Sequence, residues 1–170
     1  MIELLILNEL TKKVLTMYGI SKEIRSTFSV LTTPSFGTIK PALTRLQNSG
    51  FIKSQKIMSN GGRPSVYYSI TSDGEKELVK LLLEPVQENP VQFLTNARVR
   101  IACANKLDKQ EQIELLNLLK LKSEGVLIDT KNLVAQSEED FYKKMVYENL
   151  ICEYKNFISL LEGLERACKN

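Results

Sequence analysis

Apolar residues recur at two periods in the first half of the chain, first helical and then alternating. Leu4, Leu7, Leu10, Val14 and Leu15 lie at roughly helical spacing and predict a first helix over residues 3–16. Ile20, Ile24 and Phe28, four residues apart, predict a second from about Tyr18 to Phe28. Thr32-Thr33-Pro34-Ser35 interrupts the pattern and offers N-caps for a third helix, which runs to about Asn48 with Gly50 just past its end. Alternation then takes over. Strands are predicted near 51–58 and 65–70, where Val66, Tyr68 and Ile70 interleave with Ser65, Tyr67 and Ser69. The intervening Ser59-Asn60-Gly61-Gly62-Arg63-Pro64 is rich in residues that tolerate a tight turn. Thr71 then caps a fourth helix with Leu78, Leu81 and Leu82 on its apolar face.

Two prolines within Glu84-Pro85-Val86-Gln87-Glu88-Asn89-Pro90 break the helical pattern and place a boundary there, giving domains 1–84 and 85–170. Everything beyond reads as helix. Asn89-Pro90 provides a cap and a first-turn proline, and Asp108-Lys109-Gln110-Glu111 and Ser137-Glu138-Glu139-Asp140 resemble capping boxes. In the last helix Tyr147, Leu150, Tyr154, Phe157, Leu161, Leu164 and Cys168 are spaced alternately by 3 and 4, a heptad seam. The helix before it is apolar over a wide arc, through Leu115, Leu116, Leu118, Leu119 and Leu121 to Val126, Leu127 and Ile128. So broad a face calls for either a thick intramolecular bundle or burial against a second subunit; the second subunit is expected, with the seam from Tyr147 to Leu164 as the homodimer contact. The fold class is therefore mainly α with a small β-hairpin: a winged helix-turn-helix domain followed by an all-helical dimerisation domain.

Composition narrows the chemistry. The 170 residues include no histidine and three cysteines, Cys103, Cys152 and Cys168, without CxxC spacing. A histidine base, a Cys-His dyad and a histidine-containing zinc site are excluded, and no cofactor or metal is expected. An enzyme would need a carboxylate pair or a lysine in a pocket, and no motif points to one. The apolar runs reach only four or five residues and the N-terminus lacks a basic, cleavable leader, so a cytoplasmic protein without a membrane span is expected.

Charge is uneven. The formal net charge is +3, yet Lys12–Ser72 carries nine basic residues against one acid, Glu23. From Glu84 onward 12 basic residues face 14 acidic ones. A cationic surplus confined to the winged half points to a polyanion, and double-stranded DNA is the expected partner.

A helical wheel of the third helix places Phe36, Ile39, Ala42, Leu43 and Leu46 on a buried stripe. Gly37, Thr38, Pro41, Thr44, Arg45 and Asn48 lie opposite with Lys40 at the flank, a small, cationic face without an acid. Gly37 and Pro41 together suggest a bent helix. Thr38, Thr44 and Arg45, with Lys40, are candidates to face bases. Thr33 and Ser35 at the helix start, Lys53 and Lys56 on the wing strand, and Asn60 and Arg63 at its tip complete the candidate DNA-binding set. The Gly61-Gly62 turn lacks the lysine and spacing of a phosphate-binding loop.

These residues resemble the PadR family of bacterial transcription regulators. The likeness rests on Tyr18, Ile20 and Ile24, the string Ser35-Phe36-Gly37-Thr38-Ile39-Lys40-Pro41-Ala42-Leu43-Thr44-Arg45-Leu46, then Gly50-Phe51-Ile52, Gly61-Gly62-Arg63-Pro64, Tyr67-Tyr68 and Ile70-Thr71. It spans about residues 4–83. The resemblance implies a homodimeric repressor on a pseudo-palindromic operator, and a small aromatic or apolar effector that releases the DNA. The family usually has tyrosine close to DNA just before the helix proline; Lys40 stands there instead. A different class of function, a winged-helix protein-interaction module pairing through the heptad helix, leaves the basic surplus without a purpose.

Overall fold

The computed structural model describes residues 1–58, 64–85, 89–136 and 140–169. They form two compact units, the first comprising Met1–Glu84 with Thr95–Lys106 and the second Pro85–Leu94 with Leu107–Asn170.

The first unit is built around α1 (Ile2–Leu10), in which every residue from Leu4 to Leu10 is buried. The apolar pattern extends further than the helix, because residues beyond Thr11 leave it to form a two-residue strand, β1 (Leu15–Thr16). Helix α2 (Met17–Phe28) follows at once, with the Thr16 hydroxyl accepting the Gly19 amide at 3.1 Å. Helix α3 (Phe36–Asn48) continues through Pro41, whose ring lies on the exposed side, where a missing amide costs least. It ends at Ser49. Gly50 adopts φ +75°, and the Phe51 amide returns to the Leu46 carbonyl at 2.9 Å, closing the helix as glycine permits.

The wing strands are β2 (Ile52–Met58) and β3 (Pro64–Ile70), antiparallel and in register from Ile52↔Ile70 to Met58↔Pro64. The turn residues between them, and with them Asn60 and Arg63, lie outside the described residues. β1 pairs with the other edge of β3 through Leu15↔Tyr68 and Thr16↔Tyr67, giving the order β1-β3-β2. Helix α4 (Ser72–Leu83) begins under a Thr71 cap, as its sequence predicts.

The root of the wing is tightly packed. Thr71 donates its amide to the Phe51 carbonyl at 3.0 Å and its hydroxyl to the Gly50 carbonyl at 2.8 Å. Gly74 presses its Cα on the same strand start, where an added Cβ would sit 2.0 Å from the Phe51 carbonyl oxygen. The core gathers Leu5, Ile6, Ile20, Ile24, Phe28, Ile39, Leu43, Ile52, Leu78 and Leu82. Buried Glu9 is satisfied by Lys12 Nζ at 2.8 Å and by Asn8 Nδ2 at 3.1 Å.

Helix α5 (Pro90–Cys103) is divided between the units. Its later residues Ala97, Val99 and Cys103 are buried in the first, and Arg100 donates to the Leu82 carbonyl at 3.3 Å and to that of Glu84. A 3-10 turn, Ala104–Lys106, ends this stretch.

The second unit consists of the start of α5 with α6 (Lys109–Ala135) and α7 (Phe141–Lys169). The Asp108–Glu111 capping box forms in full, at 2.8 and 2.9 Å. Of the Ser137–Asp140 box, residues 137–139 lie outside the described residues, while the Asp140 carboxylate accepts the Lys143 amide at 3.0 Å. Gln112 meets Cys168 and Lys120 meets Glu162, so the two long helices run antiparallel. Phe93 stacks on Tyr154 with centroids 6.2 Å apart and meets Phe157 edge-on at 6.4 Å. Among the described residues no helix is long and apolar enough to cross a membrane.

Candidate nucleic-acid interface

Ile39, Ala42, Leu43 and Leu46 anchor α3 on the core and force the remaining positions outward. Ser35, Gly37, Thr38, Lys40, Pro41, Thr44, Arg45, Gln47 and Asn48 are exposed, and none of them is acidic. Thr33, just before the helix, is exposed as well. At the helix start the Ser35 and Thr38 hydroxyls lie 3.2 Å apart and Ser35 does not cap with its side chain. One turn on, the Thr44 hydroxyl donates to the Lys40 carbonyl at 3.2 Å. That carbonyl also belongs to the stretch preceding Pro41.

Two features depart from the helical wheel. Phe36 is 46% exposed rather than part of the buried stripe, and it stacks on Tyr18 with ring centroids 6.4 Å apart. As the first residue of α3 it stands before the helix has settled onto the core. Arg45, in turn, is engaged from outside the basic segment: its Nε donates to Glu3 Oε1 at 2.7 Å. A partner 42 residues away is invisible to a local charge count.

The cations thus divide into two sets. Lys12, Lys13 and Arg45 pair with Glu9, Glu23 and Glu3. The Lys13 hydrogen bond holds the Glu23 carboxyl below its usual range, so the lone acid of the basic segment stays ionised and compensated. Lys22, Arg25, Lys40, Lys53 and Lys56 are solvent-accessible and form no ion pair among the described residues. They are open to an external anion. Lys53 and Lys56, three residues apart on β2, project to opposite faces of the hairpin.

The seam of α7 divides as well. Tyr154, Phe157 and Leu161 are buried within the chain itself, against α6 and Phe93, and Tyr147, Leu150 and Leu164 are half-buried. Large apolar residues do remain exposed elsewhere in this unit, notably Leu121, Ile128, Tyr142 and Val146. Among the described residues no group of histidine, cysteine, aspartate or glutamate is placed to hold a metal.

A sequence model of the transcriptional regulator PadR-like family matches residues 6–80, from α1 through the wing to α4. The chain is also similar to a PadR family transcription regulator from hypervirulent Clostridium difficile R20291, at 33% identity over 45% of this chain and 78% of that one, with a TM-score of 0.41. The chain belongs to the PadR-like family. This PadR-like protein is accordingly a DNA-binding transcription regulator and not an enzyme. It resembles Bacillus subtilis PadR in complex with operator DNA, at 23% identity over 98% of each chain and a TM-score of 0.47. It likewise resembles that protein in complex with p-coumaric acid, at 22% identity over 99% and 96% of the two chains and a TM-score of 0.42. No curated protein matches the chain. The matched stretch of the PadR-like chain holds the whole exposed face of α3, including Lys40.

Proposed function

We propose that the protein is a homodimeric repressor whose two copies of α3 enter successive major grooves of a pseudo-palindromic operator, roughly 34 Å apart. The observation that carries this reading is the exposed face of α3, cationic at Lys40 and free of acids from Phe36 to Asn48. Such a face meets the duplex without charge repulsion, and the small side chains at Gly37, Thr38 and Thr44 let the backbone come close. Lys53 and Lys56 add phosphate contacts on both sides of the wing. The second copy is supported by the apolar side chains left exposed on α6 and α7, which in a lone chain stay in water. Family membership supports a small apolar or aromatic effector that relieves repression.

Selection of bound duplexes from random DNA tests the reading directly. The expected product is an inverted repeat with half-sites one helical turn apart. Enrichment of no sequence, or of an asymmetric single site, overturns the dimeric operator-binding reading.

A further inference from the structure

The recognition face carries one feature that electrostatics does not explain. Phe36 opens α3, Tyr18 is the second residue of α2, and both rings are solvent-exposed, at 46% and 69%. They stack nearly parallel, with centroids 6.4 Å apart and planes 20° from each other. Elsewhere on α3 every exposed side chain is small, polar or cationic. An aromatic pair in that company has no core to pack against. It lies one turn before Lys40 and beside the Ser35–Thr38 hydroxyls, at the end of the helix that reaches base edges in this class of motif.

The major groove offers one distinctly apolar group, the C5-methyl of thymine. A ring already held by a neighbour loses little freedom on docking, which suits it to a contact where only a few carbon atoms meet. The absence of an acid along α3 and the lack of a side chain at Gly37, where an added Cβ would meet only the Ser35 hydroxyl at 3.5 Å, let the helix start approach closely enough for the ring to touch a base edge. A sugar-phosphate strand, by contrast, would be met more favourably by Lys40 than by two rings.

We propose that Phe36, positioned by Tyr18, reads a thymine methyl in each half-site and so sets part of the sequence preference. The inference rests on α3 being the DNA-reading element. Its chemistry is separate from the cationic contacts: it predicts dependence on a methyl group and not on salt.

The test uses the full-length protein and a duplex obtained by selection, with each thymine replaced singly by deoxyuridine. Removal of the methyl is expected to weaken wild-type binding about fourfold at one position per half-site, the worth of one buried methyl. Phe36→Ala is expected to bind the thymine and uracil duplexes equally at that position. Tyr18→Phe, which keeps the stack, should retain the discrimination, and Tyr18→Ala should lose most of it. Because both rings are exposed, the variants are expected to keep the wild-type thermal midpoint. Identical responses of wild type and Phe36→Ala at every thymine, or a selected site without thymine, overturn the methyl contact while leaving the DNA reading in place. Absence of any duplex binding by wild type overturns both.

Discussion

Arg45 Nε reaches across the first unit to Glu3 Oε1 at 2.7 Å, so the guanidinium of α3 is held toward α1 by an acid from the chain's first turn. Both side chains remain in contact with solvent, at 59% and 32% exposure, and such a pair contributes only about 0–1 kcal/mol to stability. Its effect falls on DNA binding, because a bidentate base contact by Arg45 requires the pair to open. Glu3→Gln is expected to leave the thermal midpoint nearly unchanged and to tighten duplex binding several-fold at low salt. Fluorescence anisotropy with labelled duplex checks it, and unchanged affinity places Arg45 outside the interface.

The unpaired lysines give a different signature. Lys40→Ala, Lys53→Ala and Lys56→Ala should each weaken specific and scrambled duplexes alike. Each should also make log K less steep against log salt by about 0.9, the increment that one neutralised phosphate supplies. Titrations at several salt concentrations measure the slopes. A lysine whose removal alters preference among sequences is reading a base instead.

Gly74→Ala should be among the more damaging single-methyl additions in the first unit. The new Cβ falls 2.0 Å from the Phe51 carbonyl oxygen, and backbone atoms on both sides must shift to admit it. The expected cost is about 1–3 kcal/mol, typical of overpacking, read as a lower unfolding midpoint. Gly125→Ala, where no atom lies within 4 Å, is the control and should be neutral or slightly stabilising.

Two of the three thiols, Cys103 and Cys152, should separate by reactivity. Burial pushes the Cys103 thiol up to about 12, whereas Cys152 is exposed. At pH 8 a thiol reagent is expected to label Cys152 rapidly and Cys103 only on unfolding. The same shift gives a pH dependence. The folded state retains the Cys103 proton where the unfolded chain releases it, so stability should fall as pH rises from about 9 toward 12. Cys103→Ala should remove that component of the alkaline loss in denaturant titrations at increasing pH.

Self-association and folding of the helical unit should also come apart under mutation. Leu121→Glu with Ile128→Glu alters only side chains that a lone chain exposes, at 72% and 59%, and is expected to yield a folded monomer. Phe157→Ala empties a site packed by Phe93 and should cost about 3–5 kcal/mol of stability. Sedimentation velocity and thermal unfolding, run on both variants, distinguish the two effects.

Local signals carried most of the elements. Thr71 and Asp108 cap their helices, Gly50 closes α3, and the alternation from Val66 to Ile70 lies in a strand, because each of these depends on residues within one turn. What eluded the sequence depends on distant partners. Leu15 and Thr16 carry a helical pattern, yet pairing with Tyr68 and Tyr67 draws them into the sheet and shortens α1 to Leu10. Phe36 satisfies the apolar wheel but sits at the helix start, where Tyr18 rather than the core receives it. The 3-4 spacing of Tyr154, Phe157 and Leu161 marks a packing seam without naming the helix that fills it, and α6 of the same chain does so. Gly74 has no local signal; its need arises only when Phe51 is brought against it.

The bonds from Thr71 to Gly50 and Phe51 have a mechanical consequence. They fasten the exit of α3, the residue just before β2 and the entry of α4 at a single knot. Helix and hairpin therefore travel as a rigid gauge with a fixed offset. On the proposed reading of α3 and the wing, a groove would either accept both prongs together or reject both. Loosening the knot would blur that all-or-none response even with every side chain on the exposed face of α3 left intact.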